Sequence, residues 1–155
     1  MERTLVIIKP DGLQRNLIGE IISRFERKGL KIVGMKMMSI DDLKVEEHYG
    51  KYKDKPFFAH LKKFMQSAPV VAIVLEGIEA VAAVRLIAGS TKGREADAGT
   101  IRGDLSMSLQ TNVVHVSDPH ENPEEEIYRF FNEDELFQYT KIDIEYLYSP
   151  DEIKN

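Results

Sequence analysis

The stretch PVVAIVLE, residues 69–76, is apolar at consecutive positions, not only at alternate ones. A strand with one wet face alternates, so this run reads as a strand apolar on both faces and central in its sheet. Working outward, TLVIIK (4–9) is a second buried run of apolar and β-branched residues. Pro10-Asp11-Gly12 ends it with turn chemistry. A helix is expected over 16–28, with Leu17, Ile18, Ile21, Ile22 and Phe25 on one face, Asn16 as its cap and Gly29 as its terminator. LKIVGMKMM (30–38) reads as another strand, and the charged, aromatic stretch after it as mostly helical with a break near residues 54–56.

Beyond the central run, residues 78–88 read as a helix ended by Gly89. The segment STKGREADAGTIRGDLS (90–106) reads as a long irregular loop, which in a compact domain points to function or to an interface. NVVHV (112–116) is the fourth strand. A helix follows, with Asn122 as cap, Pro123 at its first position, glutamates in its first turn and Ile127, Phe130 and Phe131 on its core face. The order predicts an α+β, ferredoxin-like α/β sandwich: a four-stranded antiparallel sheet with helices packed on one face. No repeat or linker interrupts it, so residues 1–155 read as a single domain.

Composition narrows the class. No cysteine is present, which removes disulfides and thiolate metal sites and fits a cytoplasmic protein. No apolar run approaches the ~18 residues of a membrane helix, and the first residues do not read as a signal peptide. The net charge of −5 argues against a dedicated nucleic-acid binder. Residues 118–136 hold eight acids and one base, which leaves the remainder mildly basic, enough to hold a small anion.

His115 ends the fourth strand. Taken alone it is most simply a packing residue, but neutral imidazole is also a good nucleophile near pH 7. Glu126 shares a helix face with Phe130 and sits at the edge of the buried stripe, where a carboxylate needs a partner. The strand–turn–helix connection can return it to His115, fixing the ring's tautomer. Lys9, Arg85 and Arg102 are candidate phosphate-binding cations, with Thr91 and Asn112 as neutral donors. Tyr49, Phe57 and Leu61 are candidates for an apolar slot. His115, His120 and Asp118 resemble a metal cluster only superficially, and neither a phosphate-binding loop nor a dinucleotide fingerprint occurs.

Together IKPDG with QRNLIGEI, HYGKYKDKPFF, GTIRGD and NVVHVSD resemble the nucleoside diphosphate kinases over nearly the whole chain. The last stretch is similar to that family's N-x-x-H-G-S-D signature. The resemblance implies that His115 is the phosphorylated residue. It implies that Ser117 and Glu126 hold the histidine, with Tyr49 close by. Lys9, Arg85, Thr91, Arg102 and Asn112 would contact phosphates and ribose, and Phe57, Leu61 and Leu109 the base. It further implies a ping-pong transfer between nucleoside tri- and diphosphates with broad base specificity. Mg²⁺ would be carried by the nucleotide, with no protein metal site, and the assembly would be a homo-oligomer, a hexamer before a tetramer. The chain departs from the pattern at Val116, Pro119, Gln110 and Ala98. Val116 stands where the family usually has glycine, which raises the expectation of an altered strand-end backbone.

Overall fold

The two apolar runs pair with each other. The computed structural model describes residues 1–153. In chain order it contains β1 (Glu2–Ile8), α1 (Pro10–Gln14), α2 (Ile18–Lys28), β2 (Lys31–Met38), α3 (Asp42–Tyr49), α4 (Phe58–Met65), β3 (Val70–Gly77), α5 (Ala80–Ala88), α6 (Ile101–Leu105), β4 (Val114–Val116), α7 (Pro123–Phe130), α8 (Ile144–Leu147) and α9 (Pro150–Ile153). The strands form one four-stranded sheet in the order β2-β3-β1-β4. Every neighbouring pair is antiparallel, with Val6 opposite Ile73 and Ile7 opposite His115. The α+β, ferredoxin-like sandwich expected from the element order is the fold observed, and β3 is central as its apolar run requires.

One expectation is corrected. Helices cover both faces of the sheet. Val6, Ile8, Ile73 and Leu75 pack against Ile21 and Phe25 of α2 and Val84 of α5. On the opposite face Leu5, Ile7, Ala72 and Val74 pack against Val45, Leu61, Met65, Ile127 and Phe130 of α3, α4 and α7. The reason was visible in both central strands: neither alternates, and Leu5, Val6, Ile7 and Ile8 are all fully buried.

Local departures follow from chain path. Pro10-Asp11-Gly12 does not form an open turn; it starts α1, with Pro10 in the first turn where a missing N–H does no harm. Asn16 does not cap α2. It lies at φ 58°, in the left-handed region, and Leu17 precedes the helix without a side-chain cap. The chain must turn between α1 and α2 within three residues, and asparagine tolerates that backbone. Gly29 ends α2 at φ 100° as expected. Residues 90–106 are not a bare loop. They contain a short 3-10 turn and α6, whose cap Thr100 accepts a hydrogen bond from the Gly103 amide at 3.0 Å. Asn122 caps α7 by accepting from the Glu124 amide at 3.1 Å, and Ile127, Phe130 and Phe131 are buried.

Val116 does not disturb the backbone. It pairs with Val6 inside β4 and is buried. The left-handed residue beside β4 is Val113, just before the strand begins, at φ 67°. Val116→Gly is therefore expected to lower stability by about 2–3 kcal/mol, through lost burial and added chain freedom. The activity of the folded fraction should not change. Denaturant unfolding alongside initial rates checks both.

Candidate active site

The register of β4 on β1 decides where His115 points. Directly opposed residues share a sheet face, so His115 lies with Ile7 on the face covered by α3 and α7. Helix α7 brings Glu126, which is 1% exposed, to 3.2 Å between Oε1 and Nε2 of His115. Helix α3 brings His48, whose ring meets His115 edge-on with centroids 4.4 Å apart. Nδ1 of His48 lies 3.9 Å from Glu126 Oε1, yet neither His48 ring nitrogen has a hydrogen-bond partner among the described residues. Tyr49 is buried nearby, its ring 6.2 Å from that of His115 and its hydroxyl directed at the Met65 sulfur.

Burial lowers the pKa of His115 against the opposing pull of Glu126, which favours the neutral ring near pH 7. Burial pushes the Glu126 carboxyl up, but the His115 ring beside it outweighs this and leaves it below the usual carboxylate range. The Ser117 hydroxyl adds to the groups that hold the Glu126 carboxyl low. It also accepts from the Leu5 amide at 3.1 Å and so ties the end of β4 to β1.

The cations converge on the same region. Lys9, immediately after β1, donates to Asn112 Oδ1 at 2.7 Å and to the Gln110 carbonyl at 3.1 Å. Burial, with Arg102 adding to it, lowers the Lys9 pKa to about 7. Arg102 donates to the carbonyls of Gly89 and Val114, both at 2.8 Å, and burial lowers it to about 10. Arg85 reaches the Ser117 carbonyl at 3.3 Å. Asn112 donates to the carbonyls of Thr91 and Leu109, so Thr91 is engaged through its backbone.

Between Asn112 and His115 the chain is strained. A β-branched residue rarely adopts the φ of Val113. Two contacts hold it: its amide donates to Asp11 Oδ2 at 3.0 Å, and its carbonyl accepts from the Lys9 amide at 2.9 Å. Gly12 makes room, since a Cβ there would stand 2.8 Å from Ile8 Cγ2 and 3.1 Å from the Val113 carbonyl.

These groups line one cleft of about 350 Å³. Lys9, Arg85, Thr91, Arg102, Asn112 and His115 form its polar end, and Phe57, Leu61 and Leu109 its apolar side. Phe57 and Leu109 are exposed, while Leu61 is buried. A mouth of stacking surface leading to three cations and a neutral imidazole suits a ligand with a flat ring at one end and phosphates at the other.

Comparison with known proteins agrees. The sequence profile of the nucleoside diphosphate kinase family matches residues 2–136. A nucleoside diphosphate kinase of Parabacteroides distasonis is 51% identical over 152 residues, covering 98% of this chain and 99% of that one. The Archaeoglobus fulgidus protein of the same name is 49% identical over 96% of this chain and 98% of its own. The chain belongs to the nucleoside diphosphate kinase family. A solved nucleoside diphosphate kinase of Halobacterium salinarum, in complex with CDP, superposes with a TM-score of 0.93 at 46% identity, covering 96% of this chain and 99% of that one. As a nucleoside diphosphate kinase, the protein is an enzyme that moves phosphate between nucleoside triphosphates and diphosphates.

Two residues, His48 in this cleft and Asp11 behind it, escape a reading of the sequence. His48 sits beside Tyr49 in a quoted motif, and its spacing from Val45 places it on the buried stripe of α3, which was the available signal. Asp11 was legible only as turn chemistry, because its partner Val113 is 102 residues away.

Proposed function

We propose that this kinase works by a ping-pong route through a phosphohistidine on His115. The observation that carries the reading is the occupation of Nε2 by the buried carboxylate of Glu126. Nδ1 is left as the ring nitrogen without a hydrogen-bond partner among the described residues, in a cleft that also holds Lys9, Arg85 and Arg102. Nδ1 attacks the γ-phosphorus of a bound triphosphate, and the bond to the β-phosphate oxygen breaks as the new P–N bond forms. The diphosphate leaves, a second one binds in the same place, and its terminal oxygen takes the phosphoryl group back from Nδ1. Glu126 stabilises the positive charge that the ring develops. The three cations balance the charge spread over the transferring oxygens.

Because one cleft serves both donor and acceptor, the base is held by contact with Phe57, Leu61 and Leu109 and is not read by hydrogen bonds. Broad base specificity follows. Mg²⁺ fits as an ion delivered on the phosphates. Apart from Glu126, the carboxylates lining the cleft are Asp118 and Glu121, too few oxygens for an octahedral cage. The reading extends to a cytoplasmic homo-oligomer, a hexamer before a tetramer. Among the described residues no helix is long and apolar enough to cross a membrane.

The test is a labelling experiment. The protein is mixed with γ-labelled ATP and Mg²⁺ without acceptor, then chased with GDP. Label that is acid-labile, base-stable and passes to GTP is the expected result. Nucleotide binding without any label on the chain would overturn the phosphohistidine.

Lys9 supplies a second check. With a pKa of about 7 its amine is roughly half neutral at pH 7 in the free protein. Bound phosphates favour the charged form and raise that pKa. Nucleotide binding should therefore take up about half a proton at pH 7, approaching one near pH 8 and falling toward zero near pH 5.5. Calorimetry in buffers of different ionisation enthalpy measures this. Uptake that is absent at pH 8 in the wild type, or that persists undiminished in Lys9→Arg, contradicts a neutral Lys9.

A further inference from the structure

His48, His115 and Glu126 present three ligand atoms, from two imidazoles and one carboxylate, that all lie within 4.8 Å of one another. The transfer reaction uses only two of these side chains. His48 is 1% exposed at its side chain, and both its nitrogens are buried without hydrogen-bond partners among the described residues. Orphaned polar atoms beside a nucleophile are unusual enough to need a reason. We propose that the three residues form a binding site for a zinc-type divalent ion, and that occupancy of this site silences the kinase.

The donor set is two imidazoles and a carboxylate, the combination that holds zinc with one position open. Tetrahedral coordination at about 2.1 Å sets ligand atoms roughly 3.4 Å apart. The His115 Nε2 to Glu126 Oε1 distance is already 3.2 Å, and His48 Nδ1 to the same oxygen is 3.9 Å. All three ligand atoms lie within 4.8 Å of one another, so a bound ion would draw them closer together. The ion would reach the site through the cleft, which all three residues line, and its fourth position would face that cleft. Lys9 and Arg102 line the same cleft and oppose a cation, which sets the affinity below that of a structural zinc site.

Silencing follows from the tautomer. In the metal-free protein Nε2 carries the proton that Glu126 accepts, and Nδ1 keeps its lone pair. A metal on Nε2 displaces that proton, and the neutral ring then carries its proton on Nδ1. Metal–nitrogen and metal–oxygen bonds replace one hydrogen bond, no electron is transferred, and the lone pair needed for attack is gone. Binding itself does not depend on the phosphohistidine reading; the silencing step rests on it.

Co²⁺ and Zn²⁺ are the probes. Nucleotide-free protein is titrated with Co²⁺ and followed by visible absorption, then challenged with Zn²⁺. Label uptake from γ-labelled ATP at fixed Mg²⁺ is measured with and without Zn²⁺ in wild type and in His48→Phe, which keeps an aromatic ring but has no ligand atom. Each protein is compared with itself, so a change in its basal rate does not enter. The expected result is a tetrahedral Co²⁺ spectrum that Zn²⁺ abolishes, and a loss of label uptake of at least tenfold in wild type that shrinks to under twofold in His48→Phe. A missing tetrahedral spectrum overturns the site. Equal zinc sensitivity in the two proteins also overturns it and places the ion on the nucleotide phosphates. Wild type that takes no label even without zinc defeats the phosphohistidine reading instead, while the Co²⁺ spectrum still decides the site.

Discussion

His115→Ala is expected to lower the rate of phosphate transfer by on the order of 10⁴-fold or more, equivalent to about 5 kcal/mol of barrier. The change removes the only group proposed to form a bond to phosphorus, so no residual covalent route remains. Nucleotide affinity should stay within a few-fold of wild type, because Lys9, Arg85, Arg102 and the apolar side of the cleft are untouched. The truncation also leaves Glu126 buried without its imidazole, which costs about 1–3 kcal/mol of stability. His115→Gln, which can still offer an amide donor to that carboxylate, separates the two effects. Both variants should be inactive, and the glutamine variant should be the more stable. Steady-state rates, nucleotide titration and denaturant unfolding give the three quantities. A residual rate within tenfold of wild type would move the nucleophile elsewhere.

Asp11→Ala is expected to be the most damaging change outside the transferring groups. Asp11 is buried, and its Oδ2 is the side-chain acceptor that holds the Val113 amide at 3.0 Å. Without it a buried N–H goes unpaired at a β-branched residue already in the left-handed region. The loss should be about 2–4 kcal/mol of stability. Relaxation of Val113 would carry Asn112 and His115 with it, since one precedes it and the other follows two residues later. Asn112 holds Lys9 at 2.7 Å, so Lys9 and His115 would lose their mutual placement together. A fall in kcat of about 10²-fold or more is expected in the folded fraction, since displacements of about 1 Å have effects of that size. Asp11→Asn keeps an acceptor oxygen and should recover most of the stability and rate. If Asp11→Ala is as active as wild type when folded, the strained turn does not position His115.

Much of this was legible in the residues because it is local. Apolar runs at 4–9 and 69–76 identify the buried strands. Asn122 and Pro123 start α7 through bonds within three residues, and Gly29 ends α2 with its own backbone. Where local chemistry competed with chain path, path prevailed: Asn16 turns the chain between two helices and caps neither, and residues 90–106 fold into a 3-10 turn and α6. Val116 is an ordinary strand residue because the left-handed position beside β4 falls before its first residue, at Val113.

The sequence by itself determined the strands and most of the helices, the candidate nucleophile, its carboxylate and the cations, since hydrophobic period, capping and side-chain chemistry are properties of neighbours along the chain. Only the tertiary structure decided which face His115 occupies, that Asp11 restrains Val113, that Ser117 ties β4 to Leu5, and that His48 stands against His115 with no hydrogen-bond partner among the described residues. Those facts depend on strand register and on helices crossing a sheet. Pairings between residues a hundred positions apart are set by how the whole core closes, and no local pattern encodes them.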